Sequence, residues 1–409
     1  MGKRILFFAR NFPPEQTGIG PLSGELCAML AQHGCHVRVV AAPPHYPEWR
    51  VQVDYRRAFL PVERHGRVRV QRVPIILTGK PTGARARIVY DLSFALGAFW
   101  QGIRSRRVDV VVSVAPPVLA GLAGVLVACR HRAPLVLIVQ DLELALAAQL
   151  GMLQSGWAVR VARWIERRVF TSAMAISAIS DSFGTYLHVN GVPRQRIHVI
   201  PNWVDTDFIR PYARDTLLAE RCGFPASAPV ALYAGNLGEK QGLDILVRAA
   251  PLLRDRGIQI VLMGDGSARQ RLETLAHAIA ATNVHFLALQ PRADLPRLLV
   301  SADIMVLLQR AEVVDSVAPS KLLAYMASGR PVVAAVNAAS EAAHHVREAD
   351  CGIVLPPGDS IALAQAIADL CAQPMQREAW GRHARHYAER NFSRAEVLER
   401  YRQLITQAQ

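Results

Sequence analysis

The stretch RILFFARNFPPEQTGIGPLSGELCAMLAQHGCHVRVVAA, residues 4–42, decides the fold. A short apolar run passes through a proline- and glycine-bearing turn into a helix-length segment over 21–33, and a second β-branched run follows. That order is one strand–helix–strand unit of a parallel sheet. The alternation continues through VDVVVSV, PLVLIVQ, SAMAISAIS and RIHVIPN in the first half, and through VALYAGN, IQIVLMGD, VHFLAL, IMVLLQ and PVVAAV in the second. Helix-length stretches at 160–172, 242–256 and 268–281 lie between such runs. Eleven strands exceed the needs of one doubly wound domain, and 409 residues exceed one ordinary core. Two Rossmann-like α/β domains are therefore expected. The break falls near PNWVDTDFIRPYARD, residues 201–215, where polar residues replace apolar periodicity. Two facing domains of this kind leave a cleft at their carboxyl strand ends, where such sheets bind ligands.

The net charge of +14 is one-sided. Residues 1–200 hold 25 Lys and Arg against 11 Asp and Glu, whereas residues 201–409 hold 22 of each. Within 56–107 alone there are 12 basic and 2 acidic side chains. A basic face of this kind calls for an acidic partner: nucleic acid, anionic lipid or a phosphorylated substrate. The six cysteines show no C-x-x-C pair and no metal-ligand spacing, so they read as reduced thiols of a cytosolic protein. No leader peptide is expected, because KRILFFAR meets Pro13 and Pro14 before an adequate apolar region develops. Residues 110–128 are uncharged and long enough to test as a membrane span, but Pro116 and Pro117 split them into a strand and a helix.

Several turns carry chemistry. NFPPEQTGIG, residues 11–20, puts Gly18 and Gly20 at a strand-to-helix turn, where backbone N–H groups can approach a phosphate. It is not G-x-G-x-x-G, and no acidic residue ends the second strand, so a dinucleotide is not expected. YAGNLGEKQG, residues 233–242, repeats the turn in the second half and adds Lys240, either a phosphate ligand or a solvated loop charge. LMGDGS, residues 262–267, is a third glycine turn. In DSVAPSKLLAYMASGRPVV, residues 315–333, Pro319 and Ser320 start a helix and Lys321 opens its apolar face. Free N–H groups, the helix dipole and the lysine together suit an anion, unless Lys321 only snorkels to solvent. The D-x-D of residues 205–207 reads as a helix cap or a metal site, the cap being preferred.

The order PPEQTGIG, QD at 140–141, PNWVDTDF, YAGNLGEKQG, MGDGS, PRADLPRLLVSADIMVL and PSKLLAYMASGRPVV resembles retaining GT-B glycosyltransferases of family 4 along the whole chain. With APPHYPEW at 42–49, it is most similar to the exopolysaccharide, colanic-acid-type fucosyltransferases. The resemblance implies an acceptor-side domain at 1–203, a nucleotide-sugar domain at 204–385 and a C-terminal helix, 386–409, crossing back to the first domain. It implies that Gly18, Ile19 and Gly20 face the donor diphosphate, with Asn236, Gly238, Gly264, Gly266 and Gln290 on the donor side. Lys240 matches the family's phosphate lysine, and Asn236 stands where an arginine is usual, a loss for which Lys321 compensates. The family's two glutamates would fall at Ser316 and Ala324, so Asp315 or Glu312 is left to contact the sugar, beside Ser316, Val317 and Ser320.

The expected reaction moves a sugar, L-fucose or a related deoxyhexose, from a GDP or UDP donor to a polyprenyl-diphosphate-linked saccharide, with retention. Lys240 and Lys321 stabilise the leaving diphosphate without a metal or other cofactor. Asp141 stands near the acceptor hydroxyl, or else caps the following helix. The rivals are a non-hydrolysing nucleotide-sugar 2-epimerase and a non-enzymatic basic binding protein. Nucleic acid is not an expected partner, because Phe99 and Trp100 cluster in an apolar helix flanked by Arg104, Arg106 and Arg107. That mixture suits a peripheral site on the anionic inner face of the plasma membrane, with Phe94, Phe99 and Trp100 dipping into it, unless the aromatics pack on the sheet.

Overall fold

The computed structural model describes all residues except 1, 16–17, 47, 57–61, 78, 80–82, 117, 143–155, 313–319 and 409. The chain forms two compact units, residues 1–201 with 398–409, and residues 202–397.

The first unit contains strands β1 (Arg4–Phe8), β2 (His36–Ala41), β3 (Val62–His65), β4 (Val68–Arg72), β5 (Val110–Ala115), β6 (Leu135–Val139), β7 (Ala175–Ala178) and β8 (Ile197–Val199). Its helices are α1 (Ile19–Gln32), α2 (Ala84–Ile103), α3 (Val118–His131), α4 (Trp157–Ser172) and α5 (Asp181–Val189). The sheet order is β3-β4-β2-β1-β5-β6-β7-β8, parallel throughout except for the β3–β4 hairpin. The order reverses between β1 and β5, each of which pairs in parallel. Every residue of β5 and of β6 is buried, as a strand covered on both faces requires.

The second unit contains β9 (Val230–Ala234), β10 (Gln259–Met263), β11 (Val284–Leu287), β12 (Ile304–Leu308), β13 (Val332–Ala335) and β14 (Gly352–Leu355). Its helices are α6 (Leu217–Cys222), α7 (Asp244–Arg254), α8 (Arg269–Ala278), α9 (Leu295–Val300), α10 (Ser320–Ala327), α11 (Glu341–Glu348), α12 (Ser360–Cys371) and α13 (Pro374–Phe392). The sheet order β11-β10-β9-β12-β13-β14 is that of a doubly wound fold, switching between β9 and β12. Alternation along the strands splits the core in two. Val230, Leu232, Val261 and Met305 belong to one cluster; Ala231, Tyr233, Ile260 and Ile304 belong to the other.

Three strands escape the sequence reading. β3 (VERH) holds one apolar residue and β4 (VRVQR) lies among the arginines of 56–107, so both read there as part of a basic stretch. β14 (GIVL), which opens on a glycine, does not read as a strand either. The C-terminal segment also differs from expectation. It is not one helix from 386 but α13 and α14 (Arg394–Gln407), and only residues from Leu398 onward group with the first unit. Residues 110–128 divide into β5 and the start of α3, and no helix among the described residues is long and apolar enough to cross a membrane. Asp205 caps a turn and not a helix: its Oδ1 accepts the N–H of Asp207 at 3.2 Å and of Phe208 at 3.0 Å, and the carboxylate pairs with Arg394.

Candidate active site

In the second unit the turns after β9 and β10 interlock. Gly235 donates its N–H to Met263 C=O at 2.8 Å, Leu237 to Asp265 C=O at 2.8 Å, and Ala268 to Leu237 C=O at 2.9 Å. The approach is so close that only glycine fits. A Cβ at Gly264 would lie 2.0 Å from Gly235 O, and one at Gly266 would lie 2.5 Å from Leu237 O. Gly264 also holds φ at +140°.

Lys240 sits in the single turn Glu239–Gln241 and is exposed. Its own C=O accepts the Arg310 N–H at 3.0 Å, which fastens this turn to the end of β12, at the switch point of the sheet. Glu239 beside it is paired with Arg271 at 2.9 Å and Arg310 at 3.5 Å, whereas the Lys240 ammonium meets no partner among the described residues. A free cation thus stands on a turn whose neighbouring carboxylate is already neutralised.

Lys321, on the first turn of α10, does not snorkel. Its Nζ donates to the Tyr233 hydroxyl and lies 4.5 Å from the centre of that ring. Its stem crosses Gly235 so closely that a Cβ there would be 2.3 Å from Lys321 Cε. Burial pulls its pKa down to about 8. Tyr233 in turn donates to Asn236 C=O at 2.8 Å, and Tyr325 on α10 donates to Ala234 C=O and accepts the Ala234 N–H. The lysine is therefore coupled to the turn through a tyrosine, beneath the exposed Asn236.

Sequence reasoning missed Gln241. Its Oε1 is buried with no hydrogen-bond partner among the described residues, 2.8 Å from where a Gly238 Cβ would lie. The only signal was its place in GEKQG. Gln290 is not drawn into this cluster: it follows β11, the edge strand, and its amide donates back to Ala288 C=O at 2.9 Å. Ser320 is exposed and is itself the first helical residue. Asp315, Ser316 and Val317 lie outside the described residues.

In the first unit Gly18 precedes α1 with φ +68°, a conformation that favours glycine, and Ile19 and Gly20 open the helix. The turn rests on Glu15, only 4% exposed. The Glu15 carboxylate accepts N–H groups of His45 and Tyr46, each at 3.0 Å, and the Asn11 amide at 2.9 Å. A Cβ at Gly20 would touch Glu15 at 3.3 Å. His45 Nδ1 donates to Pro43 C=O at 2.8 Å, which leaves Nε2 to accept from the Tyr90 hydroxyl on α2. Burial lowers the His45 pKa and pushes Tyr90 up to about 12, so this pair is neutral at pH 7. The motifs around residues 15 and 45 thus lock together around one carboxylate, a contact their spacing did not disclose. Asp141 follows β6, and its Oδ1 accepts the Leu142 N–H at 2.8 Å.

Along α2, Phe94 is fully buried and cannot reach a membrane. Ile88, Leu92, Leu96 and Trp100 recur every fourth residue as an exposed stripe, and Arg104 stacks on Trp100 at 4.2 Å. Trp157, Val161 and Trp164 form a second exposed stripe on α4, with Arg168 over Trp164 at 5.4 Å.

Two Rossmann-like sheets, the second with interlocked glycine turns at its carboxyl strand ends, define a doubly wound α/β class of protein. Residues 17–203 match the glycosyl transferase 4-like domain, and residues 228–373 match the glycosyl transferases group 1 domain. Over 407 residues the chain is 31% identical to an Escherichia coli protein named as the colanic acid biosynthesis glycosyl transferase WcaI, covering 97% of this chain and 98% of that protein. The fold is shared with sucrose-phosphate synthase of Thermosynechococcus elongatus (TM-score 0.77, 18% identity, 99% and 98% coverage). It is also shared with the Anabaena protein HepE, solved with UDP-glucose (TM-score 0.71, 16% identity, 99% of each chain). The chain belongs to the GT-B glycosyltransferases that join these two domains, and it is a glycosyltransferase enzyme.

Proposed function

We propose that the enzyme transfers a sugar, L-fucose or a related deoxyhexose, from a GDP or UDP donor to a polyprenyl-diphosphate-linked saccharide in bacterial surface polysaccharide assembly, with retention. The observation that carries the donor reading is the pair of interlocked glycine turns with the unpaired Lys240 at the β9–β12 switch point. Side-chain-free backbone beside an exposed lysine suits the close approach of a diphosphate. The UDP-glucose of HepE and the colanic acid in the name of WcaI support the donor class and the pathway. In the step itself the bond from the anomeric carbon to the diphosphate oxygen breaks. The acceptor oxygen bonds that carbon from the same face, and its proton passes to the departing phosphate oxygen. Lys240, with Lys321 acting through Tyr233, stabilises the charge that develops on the diphosphate. Asp141 is assigned to the acceptor hydroxyl.

The exposed stripes of α2 and α4, with their stacked arginines, support peripheral attachment to the anionic inner face of the plasma membrane, where a lipid-linked acceptor lies. A thermal-shift screen of GDP- and UDP-sugars tests the donor reading. A donor at 100 times its Kd stabilises by about 2.7 kcal/mol, and no shift with any nucleotide sugar would sink the reading.

A further inference from the structure

At the opposite edge of the first sheet lies an open cavity of about 610 Å³, within the size range of small-molecule sites. The amino-terminal residues of β1 and β2, the β3–β4 hairpin and the segment after α2 form its walls, one strand length, about 17 Å, from the Gly18 turn. Its lining holds Arg4, Arg38, Arg64, Arg67, Arg69, Arg106 and Arg107, and no Asp or Glu. Arg4 is paired with Asp109, and Arg38 donates to Ser105 at 3.2 Å. The other five guanidiniums have no hydrogen bond, ion pair or ring partner among the described residues.

Strand register makes this arrangement costly. Arg69 stands directly opposite Arg38 on β2 and directly opposite Arg64 on β3, so three like charges share one row across three neighbouring strands. Like charges in directly opposed positions destabilise a sheet. Arg107 adds a left-handed backbone, φ +50°, in a residue that has a side chain. A row of repelling cations around an open cavity is relieved when a multivalent anion sits among them. Guanidinium forks suit phosphate oxygens in particular.

We propose that this cavity binds clustered phosphates, those of a lipid headgroup or of a soluble polyphosphate, at the strand ends opposite the Gly18 turn. The test titrates the full chain with sodium tripolyphosphate in a Lys240→Ala background, which removes the exposed lysine of the second unit. The variant Arg64→Gln/Arg67→Gln/Arg69→Gln takes three charges from the cavity, and Arg160→Gln/Arg163→Gln/Arg167→Gln takes three from α4. The cavity triple should raise the tripolyphosphate Kd at least about tenfold, and the α4 triple less than about twofold. The cavity triple should also melt no lower than its parent, since it removes opposed like charges; if it fails to fold, Arg67→Gln in the hairpin turn replaces it. Absence of saturable binding, or equal weakening by both triples, would overturn the proposal. A second arm spins the same proteins with vesicles of phosphatidylglycerol in phosphatidylcholine. Retention lost in the cavity triple identifies a headgroup, and retention unchanged while tripolyphosphate binding is lost identifies a soluble polyphosphate; each supports the site. If the wild type binds tripolyphosphate but not vesicles, membrane attachment fails and the cavity site stands.

Discussion

Lys321 holds a charge where a hydrocarbon would be easier to bury, and its consequences are measurable. The native pKa of about 8 lies below the ordinary 10.5. Between those values the unfolded chain keeps the proton that the native chain has released. Stability contributed at this position is therefore lowest below pH 8 and rises up to pH 10.5. Lys321→Met keeps a stem over Gly235 and the Tyr233 ring but has no proton to lose, so urea unfolding across that window should rise for wild type relative to Lys321→Met. Parallel curves would mean that the ammonium is not buried. Lys321→Met and Lys240→Ala are each expected to cut donor turnover by about 100-fold or more if both cations meet leaving-group charge. Wild-type turnover in both would return the two lysines to structural and surface roles. Asn236, where the family pattern expects arginine, accepts the Tyr233 hydroxyl at its C=O, and that hydroxyl accepts from the Lys321 ammonium.

At the scale of elements, two glycine turns behave as one part. Gly264→Ala places a methyl 2.0 Å from Gly235 O at a φ of +140°, so the turns must separate. A loss of about 2 kcal/mol or more in urea unfolding, together with loss of nucleotide-induced thermal shift, is expected. A shift equal to that of wild type would show that the turns do not hold the donor. In the first unit the corresponding part is Glu15, which gathers three N–H donors from two loops. Glu15→Ala leaves the buried His45 N–H and two part-buried donors unmatched, and calorimetry should show it destabilised by about 3 kcal/mol. A melting point equal to wild type would mean that the two loops stand without it.

For the whole molecule, the chain's last residues complete its first unit. Tyr401 and Ile405 on α14 are fully buried, Tyr401 near Ser177 and Ile200 C=O, and Lys3 Nζ donates to Ala408 C=O at 2.8 Å. Tyr401→Ala should cost about 3–5 kcal/mol in urea unfolding. A change below 1 kcal/mol would mean that the helix docks loosely. The one-sided charge belongs to this scale too. Vesicle retention should fall with salt and with Leu96→Ser/Trp100→Ala on α2, and retention that ignores both would remove the membrane reading.

Alternating apolar runs and glycine turns are local signals, because strand period and turn geometry are set within a few residues. From them the sequence alone determined two doubly wound domains, the three glycine turns and Lys240 among the loops. β3 holds one apolar residue and β4 only two among many arginines, so the hairpin reads as a basic stretch, and its opposed charges become visible only once register is known. Tertiary structure also decided what lies beneath the loops: Lys321 on Tyr233, and Glu15 between residues 11 and 46. The Glu15–Tyr46 and Lys321–Tyr233 contacts join positions 31 and 88 residues apart in the chain, and hydrophobic period says nothing about which distant side chain fills a buried place.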